Sequence, residues 1–283
     1  MKKVIVVILN YKVKKEALWC IQSVKKSDYQ NIEIIVVDNN SEDGIAKEIK
    51  NMKDIVFIQS RDNLGYTGGN NLGIKKAIDH GADYIFILNP DTEVTKMAIS
   101  SLVAESEKGR AGIVGPKIIF NDKETIWYAG GILDLANVLG GHKGVDEKDE
   151  GQYDKIEATE FVTGGAMFVK SGVFKKIGLF DEKYFMYLED MDFCYRAKKM
   201  GFKILYNPRA IVYHENAKSA GLGSSLQDYF ITRNRMLFAS KFLPFRTRFA
   251  LFREGLRNIL NPIRRLALFD FLIDNFGKGR FVK

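Results

Sequence analysis

Residues 84–91 read Tyr84-Ile85-Phe86-Ile87-Leu88-Asn89-Pro90-Asp91. Five apolar residues in a row predict a strand covered on both faces, and Pro90, with no amide proton to offer a ladder, stops it. Asp91 is thereby set just beyond the strand's carboxyl end. A hard divalent cation prefers carboxylate and phosphate oxygens, so an acid in that place can hold a metal that bridges a diphosphate. An aspartate in an ordinary turn after a strand would read the same way. The pattern repeats upstream. Val4 to Leu9 predicts a strand, Lys14 to Lys26 a helix through Leu18, Ile21 and Val24, and Ile32 to Val37 a second strand ending at Asp38. A polar helix, a short strand over Ile55 to Ile58, a glycine-rich loop and a helix over Asn70 to His80 follow. Val/Ile strands alternating with helices predict an α/β fold with a mostly parallel central sheet, in which ligands bind beyond the carboxyl ends of the strands. Asn10, Asp38, Asn63 and Asp91 all fall there.

Downstream the order is mixed. Ile113 to Phe120 predicts a strand, and Asp134 to Asp154 an exposed, mobile loop. Phe161 to Lys170 predicts a strand interrupted by Gly164-Gly165, where a ligand would pass close to the backbone. Ser171 is the expected cap of a short helix. A helix over Asp190 to Met200 and two short strands, Lys203 to Tyr206 and Ala210 to His214, complete the order.

A chain of 283 residues suffices for one large α/β domain or a domain with an appendage. With 46% hydrophobic and 28% charged residues it is no disordered chain. Cys20 and Cys194 have neither metal-ligand spacing nor a disulfide framework, and read as buried thiols in a reducing compartment. The apolar run after Met1-Lys2-Lys3 is too short for a signal peptide and lacks a cleavage site, and no stretch reaches transmembrane length. A cytoplasmic location is expected. The net charge of +8 is uneven: Tyr229 to Lys283 holds 12 Lys and Arg against 3 Asp and Glu, so residues 1–228 are close to neutral. That asymmetry predicts a distinct role for the last fifth of the chain.

Three further elements bear on chemistry. Glu189-Asp190-Met191-Asp192 sets three acids within four positions, flanked by Phe185, Met186, Tyr187, Leu188 and Phe193. They could be helix-capping charges, or, in partly apolar surroundings that raise a carboxyl pKa, a general base. His214 ends a short apolar strand as a potential ligand, while His80 and His142 receive no role. Arg61 to Gly73 concentrates glycines and asparagines before a helix whose N-terminus welcomes phosphate. It matches neither a dinucleotide fingerprint nor a P-loop.

Taken in order, Ile8-Leu9-Asn10-Tyr11, Val36 to Ser41, Asn63 to Gly73, Leu88 to Asp91, Gly164-Gly165-Ala166, Glu189 to Asp192 and His214 resemble the family 2 glycosyltransferases of the GT-A fold, in particular the rhamnosyltransferase-like branch. The resemblance spans about residues 4 to 214. It implies a catalytic domain over 1–228, with a nucleotide-binding half to about residue 120 and an acceptor half from about 121, followed by a basic helical tail over 229–283. It further implies that Asn10 and Tyr11 lie by the nucleotide base, that Asp38 bonds the base or ribose, and that Ile8, Asn40, Asn63, Gly68, Gly69, Asn70 and Asn89 belong to the nucleotide site. Asp91 and His214 would bind Mg²⁺ or Mn²⁺, Asp190 would be the base, and Glu189 an acceptor contact. One departure stands out. The family's metal motif opens on an acid where this chain has Asn89, which keeps an oxygen but not its charge.

The implied activity is metal-dependent, inverting transfer of a dTDP- or UDP-linked sugar to an acceptor hydroxyl, on a glycan or lipid-linked acceptor. A nucleotidyltransferase is the alternative enzyme class, but Asn10-Tyr11-Lys12-Val13 lacks the glycines of a triphosphate loop. A catalytically silent sugar-nucleotide binder is another. In the tail, Phe238, Phe242, Phe245, Phe249, Phe252 and Phe269 interleave with Arg233, Arg235, Arg246, Arg248, Arg253, Arg257, Arg264 and Arg265. Such helices suit peripheral contact with an anionic membrane at its cytoplasmic leaflet. They would equally serve to pack on the catalytic domain or form a homodimer contact. Nucleic acid is not expected, because no recognition motif accompanies the charge.

Overall fold

A computed structural model describes all residues except Lys53, Arg110, 216–222 and Lys283. The first part is β1 (Val4–Asn10), α1 (Lys14–Lys25), β2 (Ile32–Asp38), α2 (Ile45–Ile49), β3 (Ile55–Gln59), α3 (Gly65–Asp79), β4 (Tyr84–Leu88), β5 (Thr92–Val94) and α4 (Ala98–Gly109). Then come β6 (Ala111–Phe120), β7 (Ile126–Tyr128), β8 (Gly131–Asp134), β9 (Leu139–His142), β10 (Glu157–Ala158), β11 (Ala166–Lys170), α5 (Ser171–Ile177), α6 (Glu189–Lys199) and β12 (Lys203–His214). Three helices close the chain: α7 (Ser225–Phe242), α8 (Phe245–Arg257) and α9 (Pro262–Leu272).

Ten strands form one sheet, with the main order β10-β12-β6-β11-β4-β1-β2-β3, β5 beside β12 and β7 beside β6. β3, β2, β1 and β4 run parallel, whereas β11 inserts antiparallel between β4 and β6. Because side chains alternate along a strand, β1 feeds two cores. Ile5, Val7 and Leu9 face a layer that includes Ile74 and Ala77 of α3 and Phe193 of α6, while Val4, Val6 and Ile8 face Ala17 and Ile21 of α1 and Leu102 of α4. Each such buried aliphatic side chain contributes roughly 1.5–3 kcal/mol. The register fixes the ligand-facing edge: Asn10 lies opposite Asp38, and Leu88 opposite Ile8.

Several elements differ from expectation, each for a visible reason. α3 starts at Gly65, five residues before Asn70, so Gly68 and Gly69 are helical rather than part of a loop. α3 lies hard against β1, where a Cβ on Gly69 would overlap Leu9 and one on Gly73 would overlap Val7, while a Cβ on Gly68 would meet Leu64 at the start of the helix. The expected loop over Asp134 to Asp154 contains β9, paired with β8, and its far end is drawn onto β6 by the buried Lys117, whose Nζ lies 2.9 Å from Asp149 and 2.5 Å from Asp154. The strand expected from Phe161 begins only at Ala166, after the Gly164-Gly165 turn. Ser171 does not cap α5; it is the first helical residue, and its hydroxyl donates to the Ala82 carbonyl. The two strands expected around 203–214 are one, β12, bulged between Asn207 and Ile211.

The tail corrects most. Tyr229, Phe230, Arg233, Asn234, Leu237 and Phe238 of α7 are buried, and Leu237 and Phe238 join the core that holds β1. Arg233 and Phe238 therefore cannot face a lipid surface. Both cysteines are buried free thiols, and burial pushes Cys20 up to about 12.

Gly73→Ala tests the close approach of α3. Alanine normally gains about 1 kcal/mol over glycine inside a helix, but overpacking against Val7 and Val37 costs about 1–3 kcal/mol. A net loss of stability in urea unfolding is expected, and a stabilised variant would show that α3 has room to move.

Candidate active site

The first group is built at the tips of β1 and β2. Asp38 accepts from Asn10 Nδ2 at 2.8 Å, the Ser41 amide at 3.2 Å and Gln59 Nε2 at 2.8 Å. Asn10 Nδ2 also reaches Ser41 and Asp43, at 2.9 and 3.0 Å, while its buried Oδ1 has no protein partner. Asn63 braces the next turn, accepting from Asn39 Nδ2 at 3.0 Å and the Gly65 amide at 2.9 Å. Asn40 takes a left-handed φ of 61°, and Tyr11 is exposed beside the pair. The Ile8 side chain is wholly enclosed in the lower core, and Asn70 is buried with Nδ2 donating to the Tyr66 carbonyl, so neither side chain opens to solvent.

The second group gathers around Asp91. β5 pairs antiparallel with β12, setting Thr92 opposite His214, and His214 Nε2 stands 3.4 Å from Asp91 Oδ1. Both ring nitrogens of His214 are buried without a protein hydrogen bond. An imidazole so placed is suited to a cation, as is the carboxylate beside it. Among the described residues no three His, Cys, Asp or Glu side chains form a cage, so a bound metal would take its remaining ligands from Asn89, water or the diphosphate. Trp127 of β7 stacks on His214 with ring centroids 4.6 Å apart and meets His142 edge-on at 4.5 Å. Burial lowers His142 to about 4, which keeps it neutral beside His214.

The third group is the turn before α6. Phe185, Tyr187 and Leu188 all have left-handed φ, at 65°, 66° and 70°, which costs a non-glycine residue on the order of 1–3 kcal/mol each. This turn delivers Glu189 and Asp190 to the N-terminus of α6. Of the three acids, Asp192 is fully buried in a structural pairing with Arg196, at 2.5 Å, and with Lys241. That leaves Glu189 and Asp190. Burial, followed by repulsion from Asp190, pushes Glu189 well above the carboxylate range. Burial also raises Asp190, opposed by the Gly164 amide at 2.9 Å and the Met191 amide at 2.8 Å. Glu189 is thus the acid that keeps its proton, and Asp190 the one that ionises first.

One turn joins these groups. Gly164 donates to Asp190 and its carbonyl accepts from Tyr66 Oη at 2.6 Å. Gly165, the next residue, accepts the Asn89 amide at 2.9 Å. A Cβ on Gly165 would come within 3.2 Å of Trp127 and 3.7 Å of Asn89 Nδ2. The acid pair and the metal-motif strand tip are therefore tied to adjacent residues. Trp127 and Tyr66 had no place in the sequence reading. Trp127 lies between the buried Ile126 and Tyr128, and nothing in that run links it to a histidine 87 positions later.

A mixed sheet with a parallel half, two asparagine- and aspartate-bearing strand tips, an acid beyond a third, and an acid pair tied to that third tip through one turn fit a glycosyltransferase of the GT-A class. The chain belongs to glycosyl transferase family 2, whose model matches residues 4–178. It is 28% identical over 242 residues to the low-salt glycan biosynthesis hexosyltransferase Agl10 of Haloferax volcanii, covering 82% of this chain and 74% of that one. It is also 28% identical over 212 residues to an N-acetylglucosaminyl-diphospho-decaprenol L-rhamnosyltransferase of Mycobacterium tuberculosis, covering 67% and 68%. Among solved structures, GalNAc-T7 with UDP, GalNAc and Mn²⁺ superposes with a TM-score of 0.72 at 18% identity, over 97% of this chain and 56% of that longer one. The relatives support a rhamnosyltransferase-like branch, and family membership sets the nucleotidyltransferase alternative aside.

Glu189→Gln provides a check on the acid pair. A carboxyl whose folded pKa is raised stabilises the protein while protonated and loses that contribution as pH rises through the raised value. The neutral glutamine should therefore raise the thermal midpoint relative to the parent at pH 8 and do little at pH 4. Equal midpoints at both pH values would contradict a buried, proton-retaining Glu189.

Proposed function

We propose that the enzyme transfers a sugar, with inversion, from a nucleotide diphosphosugar to an acceptor hydroxyl in the making of a cell-surface polysaccharide or lipid-linked glycan. The observation that carries this is the Gly164-Gly165 turn, which holds Asp190 on one residue and the Asn89 strand tip on the next. In this reading the base and the strand tip beside the donor's leaving group are thereby tied to adjacent residues.

In this reading Asn10, Tyr11, Asp38, Asn40 and Asn63 surround the nucleoside, and Gly68, Gly69 and Asn70 shape the wall behind it. Asp91 and His214 would hold Mg²⁺ or Mn²⁺, which, when bound, offsets the charge of the departing diphosphate. Asp190 removes the acceptor hydroxyl proton. The acceptor oxygen then bonds to the anomeric carbon as the bond from that carbon to the diphosphate oxygen breaks. A single displacement of this kind inverts the anomeric centre. Glu189, protonated, donates a hydrogen bond to the acceptor. A dTDP- or UDP-linked donor is proposed, with dTDP-rhamnose first, a choice supported by the rhamnosyltransferase relative.

The tail is read as a membrane contact in its outer part only. With α7 buried, the free surface belongs to α8, where Phe245 (75% exposed), Phe249 and Leu256 recur at near-helical spacing, and to the α8–α9 turn, with Leu260 90% exposed. Arg246, Arg253, Arg257 and Arg265 are exposed on the same two helices. Exposed aromatics with arginines suit the headgroup region of an anionic cytoplasmic leaflet, where a lipid-linked acceptor would reside. No described helix is long and apolar enough to cross a membrane.

Three experiments test these assignments. In thermal shift, UDP or dTDP should stabilise the protein more with Mn²⁺ than without, and His214→Ala should lose the metal-dependent part. Asp190→Asn should keep the nucleotide shift but lose roughly 10²–10⁴-fold in turnover, the usual contribution of a general base. Near-normal turnover would remove Asp190 from that role. In flotation with phosphatidylglycerol vesicles the parent should rise with the lipid and Phe249→Asp should not. A parent that stays at the bottom would refute the membrane contact.

A further inference from the structure

We propose that Asn234, aligned by Arg233, is a positioning residue that fixes where Glu189 and Asp190 stand, by gathering the backbone carbonyls of the turn that carries them. This rests on the assignment of Asp190 as base. Asn234 Nδ2 donates to the carbonyls of Tyr184 at 3.0 Å, Met186 at 2.8 Å and Tyr187 at 2.9 Å. Those three oxygens converge on one amide group only because the chain curls through left-handed positions at Phe185, Tyr187 and Leu188. Such a run is unfavourable by itself and persists only where surroundings over-determine it.

The surroundings do so carbonyl by carbonyl. Arg233, fully buried, donates to Lys183 at 3.1 Å, Tyr184 at 3.0 Å and Gly277 at 2.8 Å. The Phe185 carbonyl, which points the other way, accepts the Thr67 amide of α3 at 3.1 Å. Arg233 Nε donates to Asn234 Oδ1 at 3.1 Å, which turns the amide so that its NH₂ faces the carbonyls. An aspartate here would set an oxygen against those oxygens, and an alanine would remove the Asn234 donor from all three carbonyls. Leu188 precedes Glu189 directly, so relaxation of the turn shifts Glu189 and draws Asp190 away from the Gly164 amide.

The test uses Asn234→Ala and Asn234→Asp in the full chain, with Asn234→Ser as the fallback should either fail to fold. Amide exchange of residues 183–190 should accelerate at least about tenfold while β1 and β4 stay protected. Release of dTDP from dTDP-rhamnose should fall roughly 100-fold, the scale of a displacement of about 1 Å at a reacting centre, with the dTDP thermal shift unchanged. Unaltered exchange at 183–190 would overturn the inference, as would normal turnover in a variant whose turn has loosened. Asp190→Asn is assayed alongside. If it retains turnover, the base assignment fails; if it is inactive while Asn234→Ala turns over normally, only the positioning role fails.

Discussion

Two neighbouring carboxyls, Glu189 buried and Asp190 half-buried, set the terms for much of this molecule. Full ionisation of Glu189 and Asp190 together would cost on the order of a few kcal/mol even at the effective dielectric of a protein surface, before desolvation is counted. The chain resolves the conflict by asymmetry. Asp190 receives two backbone amides, whereas Glu189 Oε2 has no protein partner, so the single proton of the pair is held at Glu189. Asp192, one turn into the helix, is removed from the competition by Arg196 and Lys241. The result is one acid able to accept a proton and one able to offer a hydrogen bond, from side chains that are chemically alike.

The sheet supplies the other half of the arrangement. β11 runs against β4, with Ala166 opposite Leu88, so the turn preceding β11 must sit over the tip of β4. The double glycine is what lets that turn lie so close. A side chain on Gly164 would strike the Tyr66 hydroxyl, and one on Gly165 would crowd Trp127. Backbone here takes the place that side chains occupy elsewhere in the sheet, and it reports to both sides at once. β12 brings His214 in from the opposite edge, and β7 lays Trp127 across it.

Much of the frame was legible in the residues. Uninterrupted Val/Ile runs such as Val4 to Leu9 and Tyr84 to Leu88 specify buried parallel strands almost by composition, and the strand tips they end on could be named from them. Tertiary demands hid the rest. Gly65 to Gly69 reads as a loop because glycine is a poor helix former, yet packing against Leu9 requires glycine at position 69 within the helix. Arg233 reads as a surface cation, and its burial depends on three carbonyls distant in the chain. Trp127 and Tyr66 carry no local signature at all, because their partners His214 and Gly164 lie far away in sequence. Of the acid cluster, the residues were visible but not their division of labour, which depends on the amides and cations that each one meets.

The anchoring of the catalytic turn has a temporal side. During synthesis the strands of the sheet emerge first, and β1 to β4 can pair while the ribosome is still far from the end of the message. The side-chain donors that hold the carbonyls of Lys183, Tyr184, Met186 and Tyr187 arrive only with α7, and the Gly277 amide that joins them at Lys183 comes later still. A nascent chain interrupted before that point would own every chemically reactive side chain of the site and yet lack the means of setting them in place. Assembly of the parallel strand edge and placement of the turn that carries Glu189 and Asp190 are thus separated along the sequence.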